Sequence, residues 1–349
     1  MTLRSTKNRL PPEVNTRPTG GISTALALMG AATAIGAALL ARNPPPPASR
    51  DLPMLPSRGL LPLPASPVAD KRGANRAARR LNRAAGTIAT SVLIDSAMEH
   101  YRGGFENKAM YTPLVVSALT ILAAFHGHKD RAARAHWGRD VIYALAGLTG
   151  AIGTAFHFYN VGKRPGGFCW QNLFYAAPLG APTAITLAGM TGFLAERVRD
   201  NPPGTVPSVL GIPAGRMVGA MTGVGLLGTT AEAGLLHFRG AFHNPAMLLP
   251  VTVPPGAAAL LGAAAVGAAE RPRLLTRWWL RFTAFLGVAG VGFHAIGVAR
   301  NMGGWRNWKQ NIQAGPPLPA PPAFFGLALA GLAALGLLQD NPAAARQPR

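Results

Sequence analysis

Residues 100–113 read HYRGGFENKAMYTP, a basic, histidine-led phrase set between two apolar runs, and 137 positions later residues 237–250 read HFRGAFHNPAMLLP. Eight of the fourteen positions are identical: His100/His237, Arg102/Arg239, Gly103/Gly240, Phe105/Phe242, Asn107/Asn244, Ala109/Ala246, Met110/Met247 and Pro113/Pro250. A second phrase keeps the same offset. FHFYNVGKRPGG at 156–167 returns as FHAIGVARNMGG at 293–304, with Lys163 answered by Arg300. His100 and His157 are 57 residues apart, and so are His237 and His294. Past the glycines the copies drift by one or two positions, as WQNLFYAAPLGAP (170–182) against WKQNIQAGPPLPAP (308–321). Equal spacing without a gap is the mark of an internal duplication, in which each copy is one structural unit.

The composition says where such a chain resides. Of 349 residues 49% are hydrophobic and 13% charged, against about 25% charged in soluble domains. Lys and Arg number 34 and Asp and Glu 13, a formal charge of +21. A nucleic-acid protein gathers such charge on one face. Here short basic clusters alternate with long apolar runs, the membrane pattern. The single cysteine, Cys169, excludes an internal disulfide, a thiolate zinc cluster and an iron–sulfur centre held by this chain alone. No P-loop, dinucleotide fingerprint, H-E-x-x-H or G-x-S-x-G stands in the sequence, so soluble enzyme chemistry has no support.

A helix crosses a bilayer with about 20 mostly apolar residues. Nine segments qualify as candidates: 22–41, 84–98, 111–125, 141–158, 173–194, 217–236, 247–269, 282–299 and 318–338. The expected fold is an all-α polytopic membrane protein of about nine transmembrane helices. It divides into an N-terminal segment with the first helix (1–41), a Pro-rich and basic cytoplasmic linker (42–83), a first four-helix repeat (84–198), a linker (199–216), a second four-helix repeat (217–338) and a tail (339–349). Residues 70–83, DKRGANRAARRLNR, read as a basic helix lying on the membrane surface. The side holding residues 42–83, 126–140, 195–216, 270–281 and the tail carries 22 Lys and Arg against 12 on the other. That bias places those loops in the cytoplasm and both histidine phrases outside. Four helices per copy make the repeat parallel, related by an axis along the membrane normal.

His100, His157, His237 and His294 then share one depth near the outer face. Imidazole pairs on neighbouring helices are axial ligands for a low-spin haem iron. Arg102, Arg239, Lys163 and Arg300 are placed to meet propionates by charge-assisted bonds. The expectation is two b-type haems in an electron-transfer subunit of a bacterial inner membrane, exchanging electrons between quinone and a periplasmic dehydrogenase or cytochrome c. The chemistry resembles membrane-bound b-type cytochromes in general terms only, because those stack haems across the membrane on shared helices. In a variant, the four histidines together hold one metal ion. Asp95 and Glu232 occupy matching positions five residues before a histidine, and an ionisable residue inside a span is a candidate proton carrier. The competing classes are a proton-coupled transporter or channel for an anionic solute, with Arg and His lining an outer vestibule, and a structural or assembly protein without cofactor. In the last, the same residues are interface anchors and helix caps. HGH at 126–128 reads as a solvated loop, and His136 and His243 have no counterpart in the other copy.

Overall fold

The computed structural model describes residues 20–41, 71–175, 178–202, 205–267 and 272–339. The stretches 1–19, 42–70 and 340–349, with most of the Pro-rich linker and the tail, lie outside the described residues. The rest is almost wholly helical: α1 (Gly20–Ala41), α2 (Lys71–Arg102), α3 (Thr112–Lys129), α4 (Trp137–Gly162), α5 (Trp170–Tyr175), α6 (Gly180–Arg199), α7 (Ala214–Arg239), α8 (Leu249–Ala265), α9 (Pro272–Arg300), α10 (Trp308–Ala314) and α11 (Pro322–Gln339). One two-residue hairpin, Ser208–Val209 against Ile212–Pro213, joins α6 to α7.

Among the described residues, five helical segments are long and apolar enough to cross a membrane: Ser23–Ala41, Lys108–Lys129, Trp137–Gly162, Pro245–Ala265 and Arg273–Arg300. A chain with several such helices suits a bilayer as a multi-pass protein. The packing explains why these stand out. Helices α2, α6, α7 and α11 supply most of the buried core, through Leu81, Ile88, Ile185, Val218, Leu226 and Leu327 among others. With their surface hidden they can carry polar residues. α3 and α4 pack outside α2 and α6, α8 and α9 outside α7 and α11, and α1 against α3 and α4. The outer helices keep an apolar face uncovered. On α4 it is Val141, Leu145, Leu148, Ile152, Phe156 and Tyr159, and on α9 Trp278, Phe282, Phe285, Phe293 and Ile296. Steps of three or four residues, with one of eight on α9, make each set one stripe, and a stripe of that size in contact with water would be an aggregation surface. The halves meet where α2 packs on α11 and α6 on α7.

Glycine permits the closest approaches. A Cβ at Gly150 would strike the backbone of Thr186, and one at Gly287 the backbone of Phe325. These are the small-residue contacts by which membrane helices associate.

Three expected boundaries shift. The basic stretch is not a separate surface helix: it forms the first turns of α2, which runs unbroken from Lys71 to Arg102. Ala74, Ala77, Ala78 and Leu81 bury one face of it while Arg72, Arg76 and Arg83 stay exposed, and Arg80 donates to the Leu332 carbonyl of α11 at 3.2 Å. The segment 173–194 breaks into α5 and α6, the latter starting at Gly180 just past Pro178, and 318–338 starts at Pro322. Proline fits the first helical turn, where an N–H has no partner to lose.

Candidate functional site

His100 lies in the last turn of α2 and His237 in the last turn of α7. Each helix is followed by the same turn. The Phe105 N–H returns to the His100 carbonyl at 3.0 Å, and the Phe242 N–H to the His237 carbonyl at 3.1 Å. Phe105 has φ 51° and Phe242 φ 46°, a left-handed conformation costing a non-glycine residue about 1–3 kcal/mol. Beyond it the Asn107 side chain accepts from the Ala109 N–H and Asn244 from the Ala246 N–H, each at 2.9 Å. The turn brings a backbone carbonyl onto the ring: His100 Nδ1 lies 2.6 Å from the Met110 oxygen, His237 Nδ1 2.8 Å from that of Met247. Most of the repeated letters therefore build a staple that holds a histidine.

The other two histidines, His157 on α4 and His294 on α9, are held alike. His157 Nδ1 lies 2.5 Å from the Pro178 carbonyl and His294 Nδ1 2.7 Å from that of Pro317. A carbonyl only accepts, so Nδ1 carries the proton in all four rings and the neutral lone pair falls on Nε2. His237 and His294 have ring centroids 6.5 Å apart at 68°. His100 and His157 are near enough to feel one another's charge. Among the described residues no group of three or more His, Cys, Asp or Glu converges to hold a metal. The imidazoles stand as two pairs, which does not match the variant with four histidines on one ion.

The accompanying cations are disposed unequally. Arg102 is ion-paired with Glu99. The Arg239 guanidinium lies over Phe174 and Tyr175, 5.5 and 5.4 Å from the ring centres. Lys163 Nζ sits 5.7 Å from the Tyr159 ring centre, and Arg300 closes α9. Asp95 stands on α2 and Glu232 on α7, one in each half. Glu232 accepts the Gly180 N–H at the start of α6 and feels the charge of Asp95; a Cβ on Gly180 would collide with its carboxylate.

The far end of the first half holds a cluster that the sequence reading missed. Arg139 and Glu196, both fully buried, pair at 2.8 Å, and Arg139 reaches Asp130 at 2.8 Å. Arg199, 1% exposed, donates to the carbonyls of Gly127, Asp130 and Ala132 at 2.7–3.0 Å and to the Asn75 side chain at 3.0 Å. Tyr143 donates to Asn82 at 2.5 Å. His126 belongs here and not to a solvated loop: it sits in α3, 3.0 Å from Arg139, its ring 5.2 Å from that of His136. The signal was available in a comparison of the halves, because the positions matching Arg139, Tyr143, Glu196 and Arg199 are Thr276, Leu280, Leu335 and Leu338.

Comparison with protein-family models, with curated proteins and with solved structures gives no match to this chain.

Proposed function

We propose that the protein is an electron-transfer subunit of a bacterial inner membrane. It consists of two tandem four-helix repeats behind a leading helix, nine crossings in all, with the histidine phrases on the periplasmic side. Each repeat binds one b-type haem, through His100 with His157 and through His237 with His294, and exchanges electrons between quinone and a periplasmic dehydrogenase or cytochrome c. One observation carries the reading: all four Nδ1 atoms are tied to backbone carbonyls. Such a tie fixes the tautomer, orients the ring and raises the basicity of Nε2, as it does for metal-bound histidines. The 6.5 Å between His237 and His294 is the separation of two imidazoles sharing one metal, each nitrogen about 2 Å from it. Lys163 and Arg300 are the cations offered to propionates, since Arg102 already has Glu99 and Arg239 lies over Phe174 and Tyr175. Haem would supply a one-electron couple; the chain would supply axial ligands, charge and exclusion of water.

The test is a dithionite-reduced minus air-oxidised spectrum of the purified protein from haem-supplied cells. A sharp α-band is expected, halved in His294→Ala and lost in His100→Ala/His294→Ala. A flat spectrum of folded protein overturns the reading and leaves the phrase as a structural staple. A second reading rests on Asp95 and Glu232, carboxylates at matching positions inside α2 and α7, since an ionisable residue within a span is a candidate proton carrier: a proton-coupled path for an anionic solute. It predicts proton flux in liposomes that Glu232→Gln abolishes.

A further inference from the structure

We infer that the second half carries an anionic phospholipid, its phosphate on Arg239 and an acyl chain in a groove along α7. The cavity at the head of that groove measures about 310 Å³ and is lined by Trp170, Gly234, Leu235 and Phe238. That is the small end of ligand pockets. Its walls are apolar, which suits a hydrocarbon chain better than a ring that needs donors for its oxygens. Leu227 and Val224, two and three turns back on the same face of α7, are 52% and 70% exposed, so an uncovered apolar face leads from the cavity towards the bilayer interior. Trp170 and Phe238 at its head and Tyr175 beside it are also exposed, and such aromatic residues mark headgroup depth.

Arg239 supplies the charge at that depth. Its guanidinium lies over Phe174 and Tyr175, the side chain is exposed, and a planar fork suits phosphate. The first half argues the same point by contrast. Arg102 has an internal carboxylate in Glu99. The position matching Glu99 is Leu236, and the position matching Gly234 is Ala97. In the second half the arginine has therefore lost its helix partner at the same place where a missing methyl opens the wall.

None of the four histidines lines the cavity, and its test does not depend on haem. The full chain in detergent is titrated with phosphatidylglycerol or phosphatidylcholine and the retained lipid read by native mass spectrometry. One phosphatidylglycerol should be held about fivefold more strongly than phosphatidylcholine, the gain of one cation at headgroup depth. Arg239→Gln should remove that preference, and Gly234→Leu should weaken retention of both lipids. Arg306→Gln, an equal loss of charge at the same end of the molecule, should change neither. Equal retention by wild type and Arg239→Gln overturns the proposal, as does retention unaffected by Gly234→Leu. Displacement of phosphatidylglycerol by a short-chain quinone, with Arg239→Gln binding lipid as wild type does, would reassign the cavity to quinone.

Discussion

The two ends of the molecule treat its two halves in opposite ways. At the histidine end the halves share the bonds that hold the rings: a ring bonded to a methionine carbonyl, a left-handed phenylalanine, an asparagine cap, and a second ring bonded to a proline carbonyl. At the other end the first half buries Arg139, Glu196 and Arg199, while the second buries Thr276, Leu335 and Leu338 in their places. Asn82 faces Gly127 in the first half; the matching pair is Gly219 and Ala264, with the bulk removed. What differs is the kind of requirement. A helix junction far from the histidines needs only filled volume, and a buried ion cluster and an apolar cluster can be near-equal solutions because desolvation offsets most of the Coulomb gain. A histidine whose Nε2 must point one way needs a particular turn, and apolar packing cannot substitute for it.

The largest effect should come from breaking the ion cluster halfway. Glu196→Leu copies the residue of the second half but leaves Arg139 and Arg199 short of charge, and should cost about 3–5 kcal/mol. Adding Arg139→Thr should cost less than it does in the wild type, a coupling of about 0.5–3 kcal/mol. The corresponding cycle at Thr276 and Leu335 should be additive. Unfolding in mixed micelles reads all four variants of each cycle. Additivity at Arg139 and Glu196 would mean the pair is hydrated and the contrast between the halves only nominal.

A smaller effect tests the likeness of the histidine end. Asn107→Ala and Asn244→Ala each remove one side-chain acceptor of a turn N–H, worth about 1 kcal/mol, and the two losses should agree. The difference spectrum of each variant should fall in proportion if the turn positions the ring. Unequal losses would show that one copy of the staple is held by its surroundings.

The sequence was most legible where a period was all that mattered. The apolar candidates overlap helices, although 173–194 divides between α5 and α6 and five helical segments among the described residues are long and apolar enough to cross a membrane; a stripe such as Val141 to Tyr159 is legible because it is written in three- and four-residue steps. Boundaries were less legible at residues 71–83, where eight charged or polar side chains conceal a buried alanine face. The four histidines could be found by their equal spacing. Their Nδ1 bonds could not, since these depend on the φ of Phe105 and Phe242 and on loops that return 10 to 23 residues later. The ion cluster was hidden for a related reason. Arg139, Glu196 and Arg199 look like ordinary charges at helix ends until α4 and α6 are packed side by side.

The smallest expected effect is a pH dependence belonging to the first half alone. Asp130 caps the end of α3 outside the apolar span. Burial pushes its carboxyl up, but the Ala132 N–H and the Arg139 guanidinium outweigh that and hold it below its ordinary value. A carboxyl lowered on folding contributes stability above its unfolded value of about 3.9, and this is lost as pH falls through the folded value. Wild type should therefore exceed Asp130→Asn in stability at neutral pH, and the gap should close below about pH 4. The matching residue of the second half is Gly267, so no such term arises there. A gap that persists unchanged into acid would assign the aspartate's contribution to its cap geometry, which asparagine keeps imperfectly, and would remove charge from the account of how the two halves differ.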